Sequence, residues 1–224
     1  MRVTLIIPAL NEAECLPSLL AEVPVHLLHQ LIVVDNGSTD QTAEAARKAG
    51  ALVVREPRRG YGFACAAGAA AAEGEVLAFM DGDGSFVPGE LPALLAPLAH
   101  GEADLVLGSR LRNVLQRSAL PPHQRLGNEL FVGLLRYRHK ISLTDLGPFR
   151  VIRRDALQSL NMQEFTYGWP LEMIVKTLRR QMRIIELPIT FRPRFAGKSK
   201  VGGSLRASLL TAYRFSRVAL RYSF

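Results

Sequence analysis

The chain predicts an α/β fold: a mostly parallel central sheet with helices on both faces. Three observations carry this reading. The first hundred residues alternate short apolar runs with stretches of helical spacing. The runs are continuous and β-branched, without the polar alternation of a half-exposed sheet, so both faces of each strand are covered. At 224 residues, 48% hydrophobic and 21% charged, the chain can bury one sizeable core with no disulfide or structural metal. The same figures exclude disorder, collagen and a disulfide scaffold.

The elements follow in order. Residues 3–7 read as a first strand and residues 12–23 as a helix, with Leu16, Leu19, Leu20 and Val23 at helical spacing. Residues 31–34 are a second strand. Ser38, Thr39 and Asp40 suit the start of a helix that runs to Ala49, and Gly50 suits its stop. Residues 52–54 are a third strand, 62–72 a small-residue helix and 75–80 a fourth strand. Pro88 fits the first turn of the next helix, and residues 104–107 are a fifth strand. Beyond this point the pattern loosens. Helices are expected over 123–138 and 170–181, and strands over 149–153 and 184–191. Pro188 argues for an edge position or a bend in the last strand. Residues 192–203 form a basic, glycine-containing loop, and 205–224 read as a helix. The expected organisation is one domain over 1–203 and a basic amphipathic helix over 204–224.

Mean hydropathy is +0.11, yet no apolar run reaches the roughly 18–20 residues of a membrane-spanning helix. The N-terminus reads as a strand closed by Pro8, not as a signal peptide. Cys15 and Cys65 lack metal-ligand spacing and read as reduced thiols, which places the chain in the cytoplasm. The net charge of +8 is unevenly divided. Residues 1–100 carry 6 Lys/Arg against 12 Asp/Glu; residues 101–224 carry 22 against 8. An acidic half can hold a divalent cation, and a basic half attracts phosphorylated ligands, anionic lipid or nucleic acid.

In sheets of this kind ligands lie beyond the carboxyl ends of the strands. Three acidic segments fall there: Pro8-Ala9-Leu10-Asn11-Glu12, Asp35-Asn36-Gly37-Ser38-Thr39-Asp40 and Asp81-Gly82-Asp83. Two carboxylates two residues apart repel unless a cation lies between them. A hard ion with oxygen ligands, Mg²⁺ or Mn²⁺, is the usual solution. The alternative for Asp81-Gly82-Asp83 is a plain acidic turn. Asn11, Glu12 and residues 38–40 have an equally plain role in starting helices.

The set PALNE, VVDNGSTD, GYGFACAAG, FMDGDGSF and LGSR resembles family 2 glycosyltransferases of the GT-A (nucleotide-diphospho-sugar transferase) fold. The later segments TDLGPFRVIRRDAL, YGWPLEM and RIIELPITFRPRFAGKSK are similar to the dolichyl-phosphate mannosyltransferase branch. The resemblance covers residues 3–203. It implies inverting transfer of a hexose from a nucleotide-diphosphate sugar, of the GDP-mannose or UDP-glucose class, with Mg²⁺ or Mn²⁺ as cofactor. Pro8, Leu10, Glu12, Asp35, Asn36, Asp81 and Gly82 would bind the nucleotide. Asp81 and Asp83 would hold the metal. Ser85 stands where the branch has a Gln ligand, a departure that bears on metal affinity. Arg110, Arg125, Arg194, Lys198 and Lys200 match positions near the phosphates and the acceptor, and Asp83, Arg110, Arg125, Arg194 and Lys198 carry the catalytic expectation.

The acceptor implied by the branch is a polyprenyl phosphate, an anion that needs no general base. A sugar hydroxyl would need one, and Asp145 and Glu172 are the candidates. Trp169 and Tyr167 suit a sugar or isoprenoid platform, or the core. Arg214, Arg217 and Arg221 lie at helical spacing opposite Leu and aromatic residues. That pattern fits a peripheral membrane contact, a helix docked on its own domain, or a homo-oligomer contact. A sugar nucleotidyltransferase or a dinucleotide dehydrogenase would need a glycine-rich loop after the first strand, and PALNE is not one. A nucleic-acid-binding or membrane scaffold leaves the aligned acidic strand ends unexplained.

Overall fold

The computed structural model describes residues 1–112 and 122–197, together with residues 213, 216–218 and 221. Lys198, Lys200 and Arg214 lie outside the described residues. The elements are β1 (Val3–Ala9), α1 (Leu16–Ala21), β2 (Gln30–Asp35), α2 (Thr42–Lys48), β3 (Leu52–Arg55), α3 (Tyr61–Ala71), β4 (Val76–Phe79), α4 (Leu91–Ala99), β5 (Leu105–Ser109), α5 (Pro122–His139), β6 (Arg150–Arg153), α6 (Arg154–Leu160), α7 (Trp169–Arg179) and β7 (Ile184–Pro188).

The strands form one seven-stranded sheet in the order β3-β2-β1-β4-β6-β5-β7. Successive side chains of a strand point to opposite faces, and the sequence uses this to build two cores. Ile6, Ile32, Val34, Leu77, Phe79, Leu105 and Leu107 face one core, closed by residues of α3, α5, α6 and α7. Leu5, Ile7, Val33, Val76, Ala78 and Val106 face the other, closed by α1 and α4. Each fully buried side chain of this size contributes roughly 1.5–3 kcal/mol. The helix α3 approaches β1 so closely that a Cβ on Gly68 would collide with Ile6.

The strand β6 pairs antiparallel with both β4 and β5, whereas the other pairs are parallel. This reversal decides where the site is built. The C-terminal ends of β1, β2, β4, β5 and β7 share one rim, and the loop entering β6 arrives at that same rim. The apolar pattern marked β6 as a strand but carries no sign of its direction. The edge position of β7, ending at Pro188, agrees with the proline rule. The helix α6 follows β6 without a break and is missing from the sequence reading.

Among the described residues no helix is long and apolar enough to cross a membrane. Of the C-terminal segment, Val218 is buried in the α7-side core next to Gly168, while Arg217 and Arg221 are exposed.

Candidate active site

The three acidic segments meet as their strand order requires. The strands β2, β1 and β4 are neighbours and parallel: Ala9 pairs with Asp35 and Ile6 with Phe79, so the loops that follow the three strands leave from one rim. Side chains then tie the loops together. Asn11, at φ 51°, accepts from the Thr39 N–H at 2.8 Å, and its own N–H donates to Ser38 Oγ at 3.0 Å. Thr42 Oγ1 accepts from the Glu12 N–H at 2.9 Å, and Asp40 accepts from the Ala13 and Thr42 N–H groups. Ser38 and Thr39 therefore do not cap α2 as their sequence position suggests. They bond to Asn11 of the neighbouring loop instead, and Asp40 alone of the three reaches the first turn of α2. Pro8 is buried inside β1, paired with Val34, and Leu10 follows it half-buried.

Asp35 accepts from the Ser38 N–H at 2.9 Å. Asn36 is fully committed: its amide donates to the carbonyls of Glu56 and Arg58 at 3.0 and 2.7 Å, and its oxygen accepts from Gly60 at 2.8 Å. Its side chain thereby orders the loop before α3, and α3 presents Tyr61 to Asp81. Glu12 is buried next to the Cys15 thiol; burial, then the Glu12 charge, pushes that thiol up.

Asp81 and Asp83 follow β4. Burial, and then the like charge of Asp83, pushes the Asp81 carboxyl up to about 6; Arg110, the Tyr61 hydroxyl and Arg150 pull the other way. Gly82 packs against Ile7 and the Pro8 carbonyl. Asp83 Oδ1 accepts from the Ser85 hydroxyl at 2.6 Å and the Ser85 N–H at 2.9 Å. Ser85, expected as a metal ligand, is buried and spends its hydroxyl on holding Asp83. Asp83 Oδ2 lies 2.5 Å from Arg194 Nη2.

The segment after β7 straps this turn down. Phe191 bridges to Phe86, the Arg192 N–H donates to the Ser85 carbonyl at 3.0 Å, and the Phe195 N–H donates to the Asp83 carbonyl at 3.0 Å. Arg192 also donates to the Gly84 carbonyl at 2.7 Å and pairs with Glu22 at 2.7 Å. Gly84 sits at φ +78°, and a Cβ there would collide with the Phe195 ring. Sequence reading assigned the strap's charges to ligand binding but missed Arg192, whose role is to fasten it.

Arg110 follows β5 and lies within the field of Asp81 and Asp83. Asp145, arriving from the loop before β6, holds it in a two-pronged pair at 2.7 Å for each prong, with the Arg110 N–H at 2.9 Å. Asp145 is 0% exposed. Burial would raise its carboxyl, but Arg110 outweighs that and holds it below the ordinary range. Arg110 is itself shifted up, Asp145 overcoming the opposing effect of burial. The sequence offers Asp145 as a general base; the structure corrects this, since a buried carboxylate kept charged by a bidentate guanidinium cannot take up a proton near neutral pH.

Glu172 is corrected for a similar reason. It is 0% exposed, accepts from the Gln163 and Glu164 N–H groups at 2.9 and 2.7 Å, and pairs with Lys176 at 2.7 Å. It fastens the loop before α7. Trp169 is buried against Phe79, ring centroids 6.5 Å apart, and belongs to the core, not to a sugar platform. Tyr167 is half-buried. Arg125 is exposed in the first turn of α5.

The family model described as glycosyl transferase family 2 matches residues 4–160. This chain belongs to glycosyl transferase family 2. An uncharacterized glycosyltransferase of Mycobacterium tuberculosis is 43% identical over 96% of this chain and 97% of its own length. The undecaprenyl-phosphate mannosyltransferase of Micrococcus luteus is 34% identical over 92% and 89%. Among solved structures, glucosyl-3-phosphoglycerate synthase from M. tuberculosis, in complex with Mn²⁺, UDP-glucose and phosphoglyceric acid, superposes with a TM-score of 0.84. It is 25% identical and is matched over 99% of this chain and 79% of that one. The same synthase has also been crystallised with Mg²⁺ and UDP. The GT-A fold and the family 2 membership expected from PALNE, FMDGDGSF and LGSR are thereby established.

Proposed function

We propose that this chain is an inverting, divalent-metal-assisted hexosyltransferase that uses a nucleotide-diphosphate sugar of the GDP-mannose or UDP-glucose class and a polyprenyl phosphate acceptor. The observation that carries this reading is the convergence of two carboxylates, Asp81 and Asp83, with two guanidinia, Arg110 and Arg194, at one sheet rim. The donor set fits a hard cation. Both ligand candidates are oxygen donors, and burial and the Asp83 charge destabilise Asp81 as an anion, which a cation between them would relieve. Asp81 and Asp83 would hold Mg²⁺ or Mn²⁺, which when bound supplies charge neutralisation at the diphosphate.

The chain's own residues supply the rest. Arg110 is pre-oriented by Asp145 and faces the charge that develops on the leaving diphosphate; Arg194 carries a second positive charge on the strap. Each charge-assisted hydrogen bond of this kind contributes roughly 1.5–3 kcal/mol. Pro8, Leu10, Glu12 and Asp35 line the rim where the base and ribose would lie, next to Gly82. Arg125, Lys198 and Lys200 are assigned to the acceptor phosphate on the family resemblance.

A lipid phosphate suits a site whose two candidate bases are committed to structure, because such an acceptor is already ionised. The exposed face of α5 supports the same choice: Leu126, Leu130 and Tyr137 are exposed alongside Arg125 and Arg138. A basic helix with apolar residues turned to solvent suits a peripheral contact with an anionic membrane surface. The likeness to a synthase crystallised with phosphoglyceric acid favours a second reading, a soluble acceptor.

The test incubates the protein with radiolabelled GDP-mannose or UDP-glucose, Mn²⁺, and either undecaprenyl phosphate in vesicles or phosphoglycerate. Label moving into the organic phase, and lost in Asp83→Ala, is the expected result. A water-soluble product would select the second reading, and no transfer from either donor would sink both.

A further inference from the structure

We propose that Glu186 is a positioning residue for Arg110, acting through Asp145. The inference rests on the glycosyl-transfer reading, in which Arg110 faces the leaving diphosphate.

From Leu143 on, the loop between α5 and β6 is largely buried yet joins no strand ladder, so its backbone polar groups need partners elsewhere. Side chains from three elements provide them. Asn128 of α5 donates to the Thr144 carbonyl at 2.8 Å and accepts from the Leu146 N–H at 3.0 Å. Arg150 of β6 donates to the Gly147 carbonyl at 2.8 Å and to the Leu146 carbonyl. Glu186 of β7 accepts two further N–H groups: Thr144 at 2.9 Å and Asp145 at 2.8 Å. It takes the Thr144 hydroxyl as well, at 3.0 Å.

Glu186 is thus the group that fixes the backbone of Asp145, and Asp145 in turn receives three N–H donors of Arg110. A two-pronged pair demands that the carboxylate and guanidinium planes match. A loop displaced by a fraction of an ångström would tilt the carboxylate and swing the guanidinium. A neutral acceptor could serve the two N–H groups with less desolvation cost than a buried carboxylate. The charge has a further use: Glu186 also pairs with Arg112 at 2.8 Å. The guanidinia of residues 110 and 112 are thereby each tied to their own carboxylate, so Arg112 does not compete for Asp145.

The test compares Glu186→Gln with wild type and with Asp145→Asn. In protein labelled with ¹⁵N-arginine, the Arg110 Nε–H resonance is identified by its loss in Arg110→Lys. Expected in Glu186→Gln is an Arg110 resonance shifted toward its position in Asp145→Asn. With it comes a kcat lowered about 10–100-fold, and a donor KM changed by less than about threefold. Glu186→Asp, which keeps the charge, should recover part of both and stands in should the Gln variant not fold. An Arg110 resonance unmoved in a folded Glu186 variant, or kcat unchanged, would overturn the proposal. If wild type transfers no sugar at all, the functional reading fails, while the Arg110 resonance still reports whether Glu186 orders that side chain.

Discussion

Arg194 Nη2 lies 2.5 Å from Asp83 Oδ2, joining two segments 111 residues apart in the chain. The pair is only 24% and 13% exposed at its two side chains. Asp83 is a proposed metal ligand, so Arg194 and a cation compete for one carboxylate. In Arg194→Ala, Mn²⁺ binding without nucleotide should therefore tighten, by about fivefold if the pair is worth about 1 kcal/mol. Transfer should fall by about 10²-fold, more than nucleotide affinity does. Titration calorimetry with Mn²⁺ and steady-state kinetics read the two effects. Weaker Mn²⁺ binding would show that Arg194 supports the metal site instead of competing with it.

The Asp81 carboxyl, raised to about 6 by burial and by Asp83, makes a signed prediction. A group whose folded pKa is raised contributes stability when protonated, and that contribution is lost as pH rises from the ordinary carboxylate range through about 6. Relieving the charge in Asp81→Asn should raise the melting temperature at pH 7.5 without metal, by about 2–4 °C per kcal/mol relieved. Mn²⁺ binding to the carboxylate form should stabilise wild type more at pH 7.5 than at pH 5.5, and stabilise Asp81→Asn little at either. Thermal melts at the two pH values with and without Mn²⁺ decide it.

Glu172 separates structure from catalysis. Removing it leaves Lys176 and the two loop N–H groups of Gln163 and Glu164 short of their carboxylate. Glu172→Ala should cost about 3–5 kcal/mol in urea unfolding, the usual cost of breaking a buried pair. Turnover per folded molecule should hold at temperatures where the variant is folded. A collapse of kcat with stability intact would restore Glu172 as a base.

Gly84 cannot take a side chain, for two reasons: φ of +78° and the Phe195 ring against it. Gly84→Ala should destabilise by at least about 1 kcal/mol from backbone strain. It should also lift the strap away from the turn. Faster proteolysis of the 192–197 segment, measured against wild type, is the expected readout.

Much of the fold was legible because β-branched apolar runs at the spacing of a βα unit admit few arrangements. The strands β1, β2 and β3, the loops after β1 and β2, and the acidic turn after β4 all fall where the pattern places them. Pro188 argued for an edge or a bend, and the strand lies at the edge, since proline cannot donate to a second neighbour. The direction of β6 was not legible. Whether Arg150–Arg153 runs with or against β4 depends on how its neighbours cross over, and local composition carries no trace of that.

The site shows the same division at the level of single residues. The carboxylates Asp81 and Asp83 are visible as a short-range repulsion that calls for a positive partner. The partner each charged residue actually takes is not visible. Asp145, Glu172 and Glu186 are all carboxylates in a basic half, and nothing local tells a base from an anchor. Burial and the geometry of donors that arrive from distant segments make that distinction. Chain chemistry, then, names the residue types, the family and the rim on which they gather, because periodicity and short-range repulsion are local. Folding assigns the pairs, Arg110 to Asp145, Arg112 to Glu186 and Arg194 to Asp83, because a buried charge is satisfied by whichever opposite charge the sheet order brings within about 3 Å.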